Sequence, residues 1–96
     1  MKHIHDYKVI HRDLKAENIF MSSTGVLKIG DLGACKVCNV DSTTAKTQIG
    51  SPVTMSPEIY KNQEYGRATD IWSLGVILYQ LCALNFPFEA NSLPAI

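Results

Sequence analysis

The chain has 96 residues, nine Lys and Arg against nine Asp and Glu for no net charge, and 46% hydrophobic content. It therefore forms at most one small domain, is too apolar for wholesale disorder, and has no charge cluster that would mark a nucleic-acid or membrane partner. Three cysteines make no disulfide framework and suit a reducing compartment. No apolar leader follows Met1, and the longest apolar run, near residues 74–78, is too short to span a bilayer, so the expectation is a soluble intracellular protein.

Residues 1–6 read as the end of a helix, with Lys2, His3 and His5 near a C-terminus, where cations are favourable. Val9 and Ile10 begin a short strand that delivers His11. The loop His11-Arg12-Asp13-Leu14-Lys15-Ala16-Glu17-Asn18 follows, with a carboxylate, an ammonium and an amide closely spaced. Asp13 can accept a proton from an attacking hydroxyl, Lys15 can neutralise a phosphoryl oxygen, and the Asn18 amide oxygen can ligate a hard cation such as Mg²⁺. Ile19-Phe20-Met21 reads as a strand, residues 22–25 as a turn and 26–29 as the return strand. Asn18 and the carboxylate of Asp31-Leu32-Gly33 should then sit at neighbouring ends of a hairpin and share one metal ion. A charged turn or an Asp-Leu-Gly tripeptide is commonplace by itself. The two in this order, with a hairpin between them, read as phosphoryl-transfer machinery.

Beyond Gly33 a polar stretch runs to Ile49 and carries Ser42, Thr43, Thr44 and Thr47, in the manner of a functional or disordered insertion. Cys35-Lys36-Val37-Cys38 is a C-x-x-C without a second ligand pair at zinc spacing, and reads as two ordinary thiols. Gly50-Ser51-Pro52 and Ser56-Pro57-Glu58 punctuate the end of the stretch, with a short helix over 57–62. The clearest helix opens at Ala68-Thr69-Asp70. Ile71, Leu74, Ile77, Leu78 and Leu81 recur there at helical spacing and Val76 widens the face. Apolar nearly all round, this helix is expected to be buried. Residues 85–87 end it, and 88–96 read as a loop entering a further helix.

In order and separation, HRDLKAEN, DLG, GSPVTMSPE and DIWSLG resemble the C-lobe of a eukaryotic protein kinase. Lys15 resembles the serine/threonine branch, and AKTQIGSPVTMSPE with PFEANSLPAI is most similar to the NIMA-related (NEK) kinases. The resemblance implies an α+β fold, a fragment of the kinase C-lobe over residues 1–96 with no N-lobe. Its parts would be a catalytic loop at 11–18, an activation segment at 31–58 and a buried helix at about 69–82. It implies transfer of the ATP γ-phosphoryl group to Ser or Thr of protein substrates, with ATP and Mg²⁺ required and with no nucleic-acid or membrane partner. The implied setting is cytoplasmic, with nuclear, centrosomal and cytoskeletal placements also found in the family.

By the same resemblance, Asp13 is the catalytic base and Lys15 steadies the transferred group. Asn18 and Asp31 hold Mg²⁺ on the nucleotide phosphates. Arg12 pairs with a phosphate on the activation segment, for which Thr47 is the matching site. Ser51 hydrogen-bonds near Asp13 and Lys15, and Asp70 anchors the catalytic-loop backbone. Glu58 matches a residue that pairs with an arginine from a later helix, and is expected to be exposed or unpaired. His11, Ile19, Phe20, Leu32, Ile77 and Leu81 match hydrophobic spine positions. Leu32 replaces the more common Phe, Ser51 replaces Thr, and Val53 and Thr54 stand where the NEK pattern has two tyrosines, which bears on substrate choice. The sequence holds no G-x-G-x-x-G loop and no V-A-I-K lysine. The alternative is accordingly a non-catalytic, pseudokinase-like binding module or a degenerate fragment. A metal phosphohydrolase built on His3, His5, His11, Asp13 and Asp31 would leave GSPVTMSPE and DIWSLG unexplained.

Overall fold

The computed structural model describes residues 1–37 and 50–88. Helix α1 (Lys2–Asp6) turns through Lys8, whose φ of 59° is left-handed, into strand β1 (Val9–Ile10). The chain crosses from β1 through residues 11–15 to a single 3-10 turn, Ala16–Asn18, and then enters β2 (Ile19–Met21). β2 pairs antiparallel with β3 (Leu27–Ile29), Ile19 opposite Ile29. The hairpin turn closes through Ser22 N–H to the Val26 carbonyl and Gly25 N–H to the Ser22 carbonyl, each 2.9 Å. Gly25 has φ of +82°, which suits a residue with no Cβ. The return strand expected from Val26 starts at Leu27 because Val26 closes the turn.

A second 3-10 turn, Leu32–Ala34, leads to β4 (Lys36–Val37), which pairs antiparallel with β1, Val9 opposite Val37. This strand falls inside the stretch read as an insertion. Two residues are too few for alternation to show, and its stability comes from β1 rather than from its own side chains. Helix α2 (Pro57–Tyr60) starts with proline at its first position and is shorter than the expected 57–62. The Asn62 φ of 54° turns the chain out of it.

Helix α3 (Ala68–Ala83) has the expected extent, but not the expected burial. Its buried residues are Thr69, Asp70, Ser73, Val76 and Ile77, a stripe at helical spacing with a polar N-terminal half. Ile71, Leu74, Leu78 and Leu81 are exposed, Leu81 by 68%. The stripe is polar because what it meets is polar. The Ser73 hydroxyl donates to the Thr54 carbonyl at 2.8 Å, and Ser56 and Thr69 share a hydrogen bond of 2.5 Å. Leu84 ends the helix in a left-handed conformation (φ 56°) more usual for glycine, its N–H bonded to the Gln80 carbonyl at 2.9 Å.

The apolar interior is small, Ile10, Leu14, Ile59, Tyr65, Val76 and Ile77. Polar groups share it, and among the described residues no buried side-chain nitrogen or oxygen lacks a partner. The expected spine is not assembled. His11 and Ile77 are buried, but Phe20, Leu32 and Leu81 are each more than half exposed. His11 is held inside by hydrogen bonds, while the Phe20 ring lies over Gly30 at the hairpin end.

Candidate active site

Asp70 organises the site. It lies in the first turn of α3, where the helix dipole favours a carboxylate, and is 1% exposed. Its Oδ2 accepts from His11 N–H at 2.9 Å and from His5 Nε2 at 2.7 Å, and its Oδ1 accepts from Arg12 N–H at 2.9 Å. One buried carboxylate thus satisfies two consecutive backbone donors of the loop, which β pairing cannot reach once the chain turns at Arg12 (φ 71°). The His11 ring fixes the next step. Asp13 N–H donates to its Nδ1 at 3.3 Å, so Nε2 carries the proton and donates to the Gly30 carbonyl at 3.0 Å. The ring therefore ties the loop of residues 11–18 to the far end of the hairpin.

These anchors present Asp13, 17% exposed, to a ring of donors. Ser51 Oγ donates to Oδ1 at 2.8 Å. On Oδ2, Lys15 Nζ lies at 3.5 Å and Asn18 Nδ2 at 3.4 Å. Asn18 Nδ2 also donates to the Asp13 carbonyl at 2.9 Å. Three of the residues selected from the sequence, Lys15, Asn18 and Ser51, thus converge on the carboxylate of a fourth, Asp13.

The hairpin brings Asp31 to the same end. Gly30 N–H donates to the Asn18 carbonyl at 2.8 Å, and Asp31 is the next residue. It is exposed, left-handed at φ 53°, and accepts a 3.4 Å bond from Gly33 N–H. Since the Asn18 nitrogen is committed to Asp13, its oxygen is the atom free to ligate. An amide oxygen and a carboxylate match what Mg²⁺ takes from a protein when waters and phosphate oxygens complete its shell. Among the described residues no cluster of three or more His, Cys, Asp or Glu could hold a metal by itself. The phosphohydrolase constellation is not formed. His5 faces Asp70, His11 faces Gly30, and His3 packs on Tyr7 with ring centroids 5.1 Å apart.

Arg12 Nε donates to the Ala34 carbonyl at 2.6 Å and Nη1 to the Tyr65 hydroxyl at 3.2 Å. Thr47 lies outside the described residues. Glu58 is partly buried on α2, with no ion pair among the described residues. Of the C-x-x-C, Cys35 is described and Cys38 lies outside. Burial pushes the Cys35 thiol up, the Asp70 carboxylate adds to this, and the Arg12 guanidinium opposes it. The raised value favours the thiol over the nucleophilic thiolate. Cys35 should therefore alkylate with iodoacetamide more slowly than the exposed Cys82, a difference that peptide mass spectrometry reads directly. Stability contributed by the protonated form is full below the ordinary thiol range and is lost as pH rises through the raised value.

Sequence reasoning missed His5, taken for a helix-end cation, and Tyr65, which carries no signal of its own. It also missed the inward hydrogen bonds of the Thr69 and Ser73 hydroxyls, to Ser56 and to the Thr54 carbonyl. Their signal was available, since two hydroxyls one turn apart beside Asp70 on an apolar helix mark a polar buried stripe.

The protein kinase domain model matches residues 1–95, so the chain belongs to the protein kinase family. Within that family it is NEK-like. It is 54% identical over 94 residues to serine/threonine-protein kinase Nek5 of Homo sapiens, 50% over 93 to Nek5 of Mus musculus, and 45% over 93 to Nek1 of Mus musculus. These alignments cover 97%, 96% and 97% of this chain but only 13%, 15% and 8% of the relatives. The chain spans a small part of the length of the kinases it matches.

Proposed function

We propose that this chain is the catalytic-loop segment of a serine/threonine kinase C-lobe, serving transfer of the γ-phosphoryl group of Mg-ATP to Ser or Thr hydroxyls of protein substrates. The observation that carries this reading is the Ser51 hydroxyl donating to Asp13 Oδ1 at 2.8 Å, while Lys15 and Asn18 stand at Oδ2. A carboxylate placed to receive one hydroxyl proton is placed to orient an acceptor hydroxyl and take its proton. Lys15 then faces the transferred group, where its charge offsets the oxygens. Asn18 and Asp31 would hold Mg²⁺, which neutralises phosphate charge on the nucleotide. Among the described residues the Arg12 guanidinium donates two hydrogen bonds, to the Ala34 carbonyl and the Tyr65 hydroxyl, and its remaining N–H groups are suited to a phosphate on Thr47.

A second reading, a non-catalytic binding module, draws on the exposed apolar residues of α3 and the hairpin. The two separate in a chimera in which residues 1–96 replace the matching segment of human Nek5, incubated with Mg-ATP and casein. The kinase reading expects turnover in the range of about 1–100 s⁻¹, and negligible transfer by the 96-residue chain, which lacks half of the parts that position ATP. A chimera that folds and binds ATP but transfers nothing leaves the binding module. Thr47→Ala in the chimera is expected to lower activity strongly and Ser42→Ala to leave it near the parent's. Equal effects would remove Thr47 as the switch.

Gly50 gives a sharper geometric test. Its φ is +120°, and a Cβ there would stand 2.5 Å from the Arg12 carbonyl oxygen. Backbone meets backbone at that point, so neither side can yield by a rotamer change. Gly50→Ala should push Ser51 away from Asp13 and cut turnover on the order of 10²-fold, the scale of a misplacement of about 1 Å. A variant as active as its parent would show that the segment has room to move.

A further inference from the structure

We propose that Tyr65 is a positioning residue for the catalytic loop, its hydroxyl holding the Arg12 guanidinium in place in the absence of any anion. The inference rests on the kinase reading of the site. Arg12 is where four parts of the molecule meet. Its N–H is held by Asp70 of α3, its Nε by the Ala34 carbonyl and its Nη1 by the Tyr65 hydroxyl. Its carbonyl lies against Gly50. Arg12 also has a left-handed backbone (φ 71°), a costly conformation for a side chain of this size, so these contacts must over-determine it. A release of the guanidinium would loosen the residue directly before Asp13.

Tyr65 suits this task by its chemistry and its setting. The ring is 2% exposed and packs with Ile59 of α2 and with Met55, so the hydroxyl is delivered from a fixed platform. A phenol accepts the Nη1 hydrogen bond without a charge of its own. A carboxylate in its place would neutralise Arg12 and compete with an incoming phosphate. The phenol orients the guanidinium and leaves its positive charge intact. Tyr65 thus sets the loop geometry before phosphorylation and keeps Arg12 aimed for it.

The test is Tyr65→Phe, which removes the hydroxyl and keeps the ring, made in the Nek5 chimera and in its Arg12→Ala version. In the parent background kcat should fall about tenfold, the scale of a lost hydrogen bond to a charged group, with KM for Mg-ATP unchanged. In the Arg12→Ala background the same replacement should change kcat no further. An unchanged kcat in the parent, or an equal loss in both backgrounds, overturns the proposal, because the hydroxyl would then do nothing or act through packing. A parent chimera that transfers no phosphate sinks the kinase reading instead. The same four proteins are then compared by thermal unfolding. Coupled effects of the two replacements uphold the Arg12–Tyr65 contact as the link, and independent effects overturn it.

Discussion

Asp13→Asn in the chimera is expected to lower turnover by roughly 10²–10⁴-fold, the usual contribution of a positioned general base. The replacement keeps size and shape, so its effect is chemical. In the parent, Oδ1 accepts from Ser51 and Oδ2 faces Lys15 Nζ and Asn18 Nδ2. An amide has one oxygen for these two sides. If that oxygen keeps the Ser51 bond, its NH₂ group meets two further donors; if it turns to Lys15, Ser51 loses its acceptor. Either way the side chain cannot take a proton from an acceptor hydroxyl. Steady-state assays on the folded variant check this, and retention of more than about a tenth of parental turnover would show that Asp13 does not do the work of a base.

Asp70→Ala carries the largest expected loss of stability. Three donors converge on that carboxylate, His11 N–H, Arg12 N–H and His5 Nε2, and the side chain is almost wholly buried. Alanine would leave the two backbone donors without their partner at the turn that carries Asp13. Breaking such a buried arrangement from one side costs about 3–5 kcal/mol, a large part of the roughly 5–15 kcal/mol that holds a domain folded. Urea denaturation of the parent and variant chimeras measures the difference. A loss below about 1 kcal/mol, the net value of an ordinary hydrogen bond, would mean that the loop is held by other contacts.

The local elements were legible because each has its own signal. The hairpin followed from Ile19-Phe20-Met21 and the Ser/Thr/Gly turn, and α3 followed from the recurrence of Ile71, Leu74 and Leu78. Lys15, Asn18 and Ser51 gather around Asp13, where the motif resemblance had set only Ser51 beside Asp13 and had given Asn18 to the metal. What failed was the inference from hydropathy to burial. An apolar helix buries whichever stripe meets a partner, and here the partner is the polar backbone and hydroxyl groups of residues 11–12 and 54–56. Thr69, Asp70 and Ser73 therefore go inside while Leu78 and Leu81 stay out. Strand β4 and the contacts of His5 and Tyr65 are long-range pairings. Periodicity, which reports on neighbours along the chain, holds no record of them.

The division of labour between the two carboxylates is the central claim, and Mg-ATP affinity tests it most directly. Isothermal titration of Mg-ATP into the parent, Asp13→Asn and Asp31→Ala chimeras gives three dissociation constants. If Asp13 acts on the acceptor hydroxyl and Asp31 on the metal, Asp13→Asn binds Mg-ATP as the parent does. Asp31→Ala then binds it at least about tenfold more weakly, the lower end of what disturbing a metal's surroundings costs. Collapse of binding in Asp13→Asn, with Asp31→Ala unaffected, would place the metal on Asp13 and contradict the account.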